Sequence, residues 1–193
     1  MLGLKLATDP RWVNIVEKNI DEILTDHAYC EQKAASTCIS LIVSYPQHQK
    51  LVDELTPIVS EEWAHFRMVL QKLKERNLVL GTQRKDEYVL ALKKLTKKGG
   101  SPSDQLVEKL LIAGLIEARS CERFRLLSQE IADEDLKKFY HDLMVSEAGH
   151  YRLFLDLASE YSSKEKAKAR FNELVEQEAE LMKNMELRGD RVH

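Results

Sequence analysis

Residues 146–151 read S-E-A-G-H-Y, and residues 60–66 read S-E-E-W-A-H-F. Glu147 and His150 are three apart in the first stretch, and Glu62 and His65 in the second. Residues three apart share one face of an α-helix. Each stretch therefore sets a carboxylate beside an imidazole, and the residues around it decide which way that face points. Leu136, Tyr140, Leu143, Glu147, His150, Phe154 and Leu157 recur at steps of three and four, as do Leu55, Ile58, Glu62, His65, Val69 and Leu73. Two more stripes keep the same period. One is Ile20, Ile23, Leu24, His27, Glu31, Ala34, Cys38 and Ile42; the other is Leu106, Leu110, Ala113, Glu117, Cys121, Phe124 and Leu127. Each reads as an apolar helical face turned to a core, with a glutamate near its middle.

A buried carboxylate is costly unless a cation or a metal accompanies it. Four that converged would repel one another, and two divalent ions would balance them. The spacing supports this reading. Glu31 and Glu62 are 31 residues apart and Glu117 and Glu147 are 30 apart, while Glu31 to Glu117 is 86 and Glu62 to Glu147 is 85. The chain thus reads as two similar helix pairs, each supplying Glu and then Glu-x-x-His. A four-helix bundle binds two metal ions with this donor set. The expected metal ligands are Glu31, Glu62, His65, Glu117, Glu147 and His150, and no catalytic residue is assigned beyond them. Carboxylate with imidazole suits iron or manganese. The plain alternative is a metal-free helical interaction module whose acids sit in salt bridges or on the surface.

Neighbouring residues divide on the same argument. Glu61 lies one step off the apolar face and is expected to be exposed. Glu122 lies off its stripe and is expected to pair with Arg119 or Arg123, each of which reads as a structural ion-pair partner. His27, one turn before Glu31, is expected to be a satisfied core histidine or a support for a ligand. Cys30 and Cys121 read as small buried hydrophobes, and Tyr29 and Tyr151 as packing residues.

Gross composition bounds the rest. The 193 residues are 44% hydrophobic and 32% charged, with seven Gly and four Pro, which suits one all-α domain over residues 1–193. The net charge of −3 speaks against a protein that grips nucleic acid by bulk charge. Local basic runs remain: residues 84–100 carry six basic and two acidic groups, and K-E-K-A-K-A-R spans 164–170. Either run could meet phosphates or be a solvated helix face. The cysteines, Cys30, Cys38 and Cys121, are odd in number and form no C-x-x-C, so a reducing, cytoplasmic setting is expected. No stretch approaches the roughly 18 apolar residues of a membrane span.

Core helices are expected over about 20–44, 48–76, 103–131 and 134–160, and extra helices over about 10–18, 84–97 and 165–187. Start signals are Thr8 or Asp9 with Pro10, Ser101 or Ser103, Asp133, and S-S-K-E at 162–165. Pro57 marks a kink or a restart, and K-K-G-G-S-P at 97–102 is the clearest loop. No strand is expected.

Five blocks carry a family resemblance. D-P-R-W at 9–12, D-H-A-Y-C-E-Q-K-A-A-S at 26–36, E-E-W-A-H-F at 61–66, L-I-E-A-R-S-C-E-R-F at 115–124 and S-E-A-G-H-Y at 146–151 resemble the blocks of a bacterial tRNA 2-methylthio-N6-isopentenyladenosine hydroxylase family, the MiaE type. The resemblance spans about residues 9–160. It implies an all-α, ferritin-like four-helix bundle with additional flanking helices, and a non-haem di-iron monooxygenase with dioxygen as co-substrate. Its substrate would be the isopentenyl group of 2-methylthio-N6-isopentenyladenosine beside the tRNA anticodon. By the same resemblance Glu31, Glu62, His65, Glu117, Glu147 and His150 would hold two iron ions, manganese being the lesser candidate. The expected partners are tRNA and an electron donor the sequence does not name, with no membrane, for a monomer or dimer. The rival reading is a ferritin- or rubrerythrin-like protein that handles iron or scavenges peroxide. Absence of C-x-x-C removes a rubredoxin-like module from that rival.

Overall fold

Side chains near the loop ends start the long helices. Ser101 accepts from the Asp104 amide, Asp133 from the Asp135 and Leu136 amides, and Ser163 from the Lys166 amide. Asp104 also answers the Ser101 amide, which completes a capping box. The computed structural model describes residues 2–186 and 188–192. Among the described residues there are seven helices and no strand: α1 Arg11–Val16, α2 Ile20–Ser44, α3 Gln49–Glu75, α4 Glu87–Lys94, α5 Pro102–Glu130, α6 Glu134–Glu160 and α7 Lys164–Lys183.

The four long helices that carry the glutamates start and stop within a residue or so of expectation, and the other three are shorter. α1 runs over 11–16, not 10–18, because the Lys18 and Asn19 amides reach back only three residues, to the Ile15 and Val16 carbonyls, and the Asn19 side chain also takes the Ile15 carbonyl. α4 runs over 87–94, not 84–97. Asp86 caps it by accepting from Val89, and the Lys97 amide is drawn away to the Glu108 carboxylate. α7 begins at Lys164 and ends at Lys183, where the Asn184 side chain caps the Glu180 carbonyl; the expected end at Leu187 lies outside the described residues. Pro57 does not restart a helix: α3 runs through it unbroken from Gln49 to Glu75. It is exposed inside α3, so the carbonyl it leaves unbonded one turn back, at exposed Asp53, can be hydrated.

By its contacts the chain divides into two units. In the unit of residues 14–85 and 188–192, α2 and α3 pack on each other, with Ile23, Leu24, Cys38 and Leu41 buried on α2 and Leu51, Leu55, Val69 and Leu73 on α3. Every expected α3 stripe position is buried. On α2 the burial passes to Ala35 and Leu41, while Ala34 and Ile42 stay half-buried: beyond Glu31 the face advances by a step of four, not three. The C-terminal segment is tied to α2 in this unit. The Val192 amide donates to Asp26 at 2.8 Å, and Arg84 bridges Asp190 and Glu22.

In the unit of residues 2–13 and 86–186, α5 packs on α6, and α7 lies against both. α5 is buried almost all round from Leu106 to Phe124. Such a helix must hold its own polar groups, and it does. Arg119, 0% exposed, donates to Glu178 at 2.7 Å and to Glu122 at 2.9 Å. Thr8 donates to both oxygens of Glu122, and Tyr88 donates to Glu178. Burial works against the Arg119 charge, but Glu178, Tyr88 and Glu122 together hold its guanidinium above its ordinary value. Arg170 likewise grips Glu108, at 2.6 Å.

Candidate metal centre

Each unit carries one set of two carboxylates and an imidazole. In the unit of α2 and α3, Glu31 projects from the middle of α2 and Glu62 and His65 from one face of α3. They are 4%, 1% and 9% exposed. His65 Nδ1 lies 3.5 Å from Glu31 Oε2 and 3.6 Å from Glu62 Oε2. In the unit of α5 and α6, Glu117 comes from α5 and Glu147 and His150 from one turn of α6, all three buried. His150 Nδ1 lies 3.6 Å from Glu147 Oε2. Within each set, one ligand atom from every residue lies within 4.8 Å of the others.

These separations bear on what the sets can hold. A direct N–H···O bond runs about 2.7–3.2 Å, and the histidine contacts are longer. Donors that share one ion, each about 2.1 Å from it, lie about 3–4 Å apart. Two carboxylates and an imidazole are also the hard-to-borderline donors that iron or manganese takes. Both sets therefore fit a metal by spacing and by chemistry.

Thiolates do not belong to either set. Burial, with the Glu62 carboxylate adding to it, pushes the Cys38 thiol up to about 12. Burial and then Glu147 push Cys121 up to about 11, and its Sγ–H meets the Met144 carbonyl. Both stay protonated near neutral pH.

His27 takes the supporting place. It is fully buried, and its Nε2 lies 2.6 Å from Glu31 Oε1, where an Nε2–H donates to the carboxylate. That leaves Glu31 Oε2 on the His65 side. A hydrogen bond of this kind fixes the orientation of a ligand carboxylate. Glu61 is exposed and Glu122 pairs with Arg119, as their phases suggest. Arg123 lies 4.8 Å over the Trp12 ring, and burial, then neighbouring Arg119, lowers it to about 10. Tyr29 donates to the Gly81 carbonyl, and Tyr151 packs on Phe171. Cys30 departs from expectation. It is half-buried, with Sγ 3.8 Å from the Asp26 carboxylate, because its place on α2 is beside the buried face, not on it.

The residue the sequence reading passes over is Glu178, 0% exposed at the centre of the Arg119 network. The signal was present. Phe171, Leu174, Val175, Glu178 and Ala179 form a buried stripe on α7 with a glutamate inside it.

The chain is similar to a solved structure titled "Protein 43 with aldehyde deformylating oxygenase activity", from Synechococcus, with 33% sequence identity and a TM-score of 0.91 over 98% of this chain and 94% of that one. The fold is all-α and ferritin-like, with α2, α3, α5 and α6 as its four long helices that carry the buried Glu and His sets and α1, α4 and α7 additional to them. Two relatives carry the name tRNA 2-(methylsulfanyl)-N(6)-isopentenyladenosine(37) hydroxylase. The protein of Pseudomonas putida (strain KT2440) is 38% identical over 82% of this chain and 76% of its own length. That of Salmonella typhimurium (strain LT2) is 29% identical over 86% of this chain and 77% of its own. The profile of the tRNA-(ms2io6A)-hydroxylase (MiaE) family matches residues 2–193, and the chain belongs to that family.

Proposed function

We propose that this chain is a dioxygen-dependent di-iron monooxygenase that hydroxylates the isopentenyl group of 2-methylthio-N6-isopentenyladenosine next to the tRNA anticodon. The observation that carries the reading is the pair of matched, buried Glu, Glu-x-x-His sets in a chain of the tRNA hydroxylase family. Glu31, Glu62, His65, Glu117, Glu147 and His150 would hold two iron ions, and residues 1–193 would act as one domain. Bound iron would supply the redox chemistry that turns dioxygen on a C–H bond. One oxygen atom enters that bond and the other leaves as water, with two electrons and two protons drawn from an external donor.

The chain's own part is to prepare the place. Burial of all six ligands excludes bulk water and keeps the carboxylates from being solvated in competing orientations. His27 holds Glu31 by its Oε1, so that Oε2 is presented on the His65 side. The protonated thiols of Cys38 and Cys121 leave the donor sets free of sulfur. No helix among the described residues is long and apolar enough to cross a membrane. A tRNA-modifying enzyme works where tRNA is, so the proposed setting is the cytoplasm.

Nucleoside mass spectrometry of tRNA from cells with and without the protein tests the reading. Loss of the hydroxylated isopentenyladenosine on deletion, restored by the wild type and not by Glu147→Ala, is the expected result. An unchanged profile in cells that make the isopentenyl precursor removes tRNA as substrate and favours an iron- or peroxide-handling role.

A further inference from the structure

The outer side of α3 is built for contact. Residues 63–74 hold Arg67, Lys72 and Lys74 and no Asp or Glu, in a chain with 32 acidic residues and a net charge of −3. Trp63 is 49% exposed and Met68 42%, and Trp63 is the one aromatic ring among the exposed large apolar side chains of the described residues. Trp63, Arg67, Leu70 and Lys74 follow at steps of four, three and four, with Phe66 three after Trp63 and four before Leu70, so they share one side of the helix. The Trp63 and Phe66 rings stack at 4.8 Å, which fixes the indole while half its surface stays open. An open groove of about 640 Å³ lies along the same helix, lined by Ala64, Arg67, Met68, Leu70, Gln71 and Lys74. Arg67 and Lys74 are engaged in no ion pair among the described residues, whereas Lys72 is held by Glu75.

The basic runs that stand out in the sequence are partly spent. Arg84 bridges Glu22 and Asp190, Lys97 pairs with Glu173, and Arg170 pairs with Glu108 and Glu173. Their density overstates the charge they can offer a partner.

We propose that this side of α3 is the surface on which the enzyme takes its RNA, with an unstacked base of the anticodon loop laid on Trp63 and with Arg67 and Lys74 on flanking phosphates. The proposal rests on the tRNA reading above. Single-stranded RNA is recognised through bases stacked on aromatic rings, and its backbone is held by Arg and Lys. An acid-free cationic and aromatic side suits that polyanion, and it lies on the helix that carries Glu62 and His65. Trp63 directly follows Glu62, so a loop docked here would be held beside a ligand-bearing helix.

The test uses the iron-loaded full chain and a fluorescent anticodon stem–loop RNA carrying 2-methylthio-N6-isopentenyladenosine, titrated across a range of salt. Arg67→Gln with Lys74→Gln is expected to lower the slope of log K on log salt by about 1.4, at about 0.7 per single-strand phosphate contact. Trp63→Ala is expected to weaken binding roughly 5- to 150-fold at an unchanged salt slope, with most of the loss recovered by Trp63→Phe. Lys93→Gln with Lys98→Gln is expected to leave both quantities within error. Iron content and thermal melting of each exposed-site variant confirm that it is folded. If wild type binds and hydroxylates the RNA while the Arg67, Lys74 and Trp63 variants do so equally well, the surface is wrong and the function stands. If wild type neither binds nor hydroxylates it, both fall. If the variants keep RNA affinity but lose turnover with a protein reductant, the face serves that reductant and the proposal is overturned.

Discussion

Two kinds of buried glutamate lie side by side along α5. Glu122 faces the guanidinium of Arg119, which also holds Glu178 from α7. Glu117, five residues earlier on the same helix, shares its set with Glu147 and the imidazole of His150. All are 6% exposed or less. Burial alone therefore does not mark a metal ligand. The companion does. Two buried guanidinia, Arg119 and Arg123, offset the two carboxylates of Glu122 and Glu178 and leave them structural parts. A histidine one turn from a glutamate adds a donor of the kind a transition metal takes, and it adds no permanent charge. The first arrangement is complete as it stands; the second gains from an ion.

Glu147→Ala should break the contrast most visibly. It removes a donor, so iron affinity should fall by more than about 100-fold, beyond the effect of losing a supporting residue, and hydroxylation should vanish while the chain stays folded. Metal analysis and circular dichroism of the same sample check both. Glu178→Ala should do the reverse. It takes away one of the two carboxylates that hold buried Arg119 and leaves the buried cations in excess, at a cost of about 3–5 kcal/mol in a urea titration, yet the folded fraction should still bind iron. Loss of iron with stability intact would put Glu178 in the wrong group. His27→Ala sharpens the comparison within the other unit. With its hold on Glu31 gone, metal affinity should fall about 10–100-fold. A drop in stability alone would make His27 a core residue only.

The smallest effect concerns pH. The folded chain keeps the Cys38 proton more tightly than the ordinary thiol value of 9.0, up to about 12. The thiol therefore contributes stability fully below pH 9, and that contribution is lost as pH rises toward 12. Denaturation midpoints at pH 8 and pH 10 should fall further apart for wild type than for Cys38→Ala. Equal spacing would contradict the buried, carboxylate-facing position of this thiol.

Much of this was legible from period and phase. The α3 and α6 stripes are buried at every position named from the sequence, because a long helix packed on one side repeats its apolar face strictly. α5 is less legible. It is buried nearly all round, so its stripe understates its burial: the Arg119–Glu122 pair is legible from its phase, but not that Thr8, Tyr88 and Glu178 come to bury it from distant parts of the chain. Those partners are up to 114 residues away in sequence, a separation no local pattern records. The ends of α1 and α4 depart from expectation for a related reason. Short helices stop where a side chain such as Asn19 or Glu108 takes a backbone group, and that depends on tertiary placement. The aromatic part of the exposed α3 side, Trp63 and Phe66, lies inside E-E-W-A-H-F, interleaved with the buried Glu62 and His65, while Arg67 and Lys74 follow the block.

The central claim is that the matched sets are iron ligands. Its most direct test is the iron-to-protein ratio of the purified chain, wild type against Glu62→Ala and Glu147→Ala. Two iron ions per wild-type chain, with a marked loss in each folded variant, is the predicted result. A wild-type chain that binds no iron when reconstituted, or variants that keep the wild-type ratio, would contradict it.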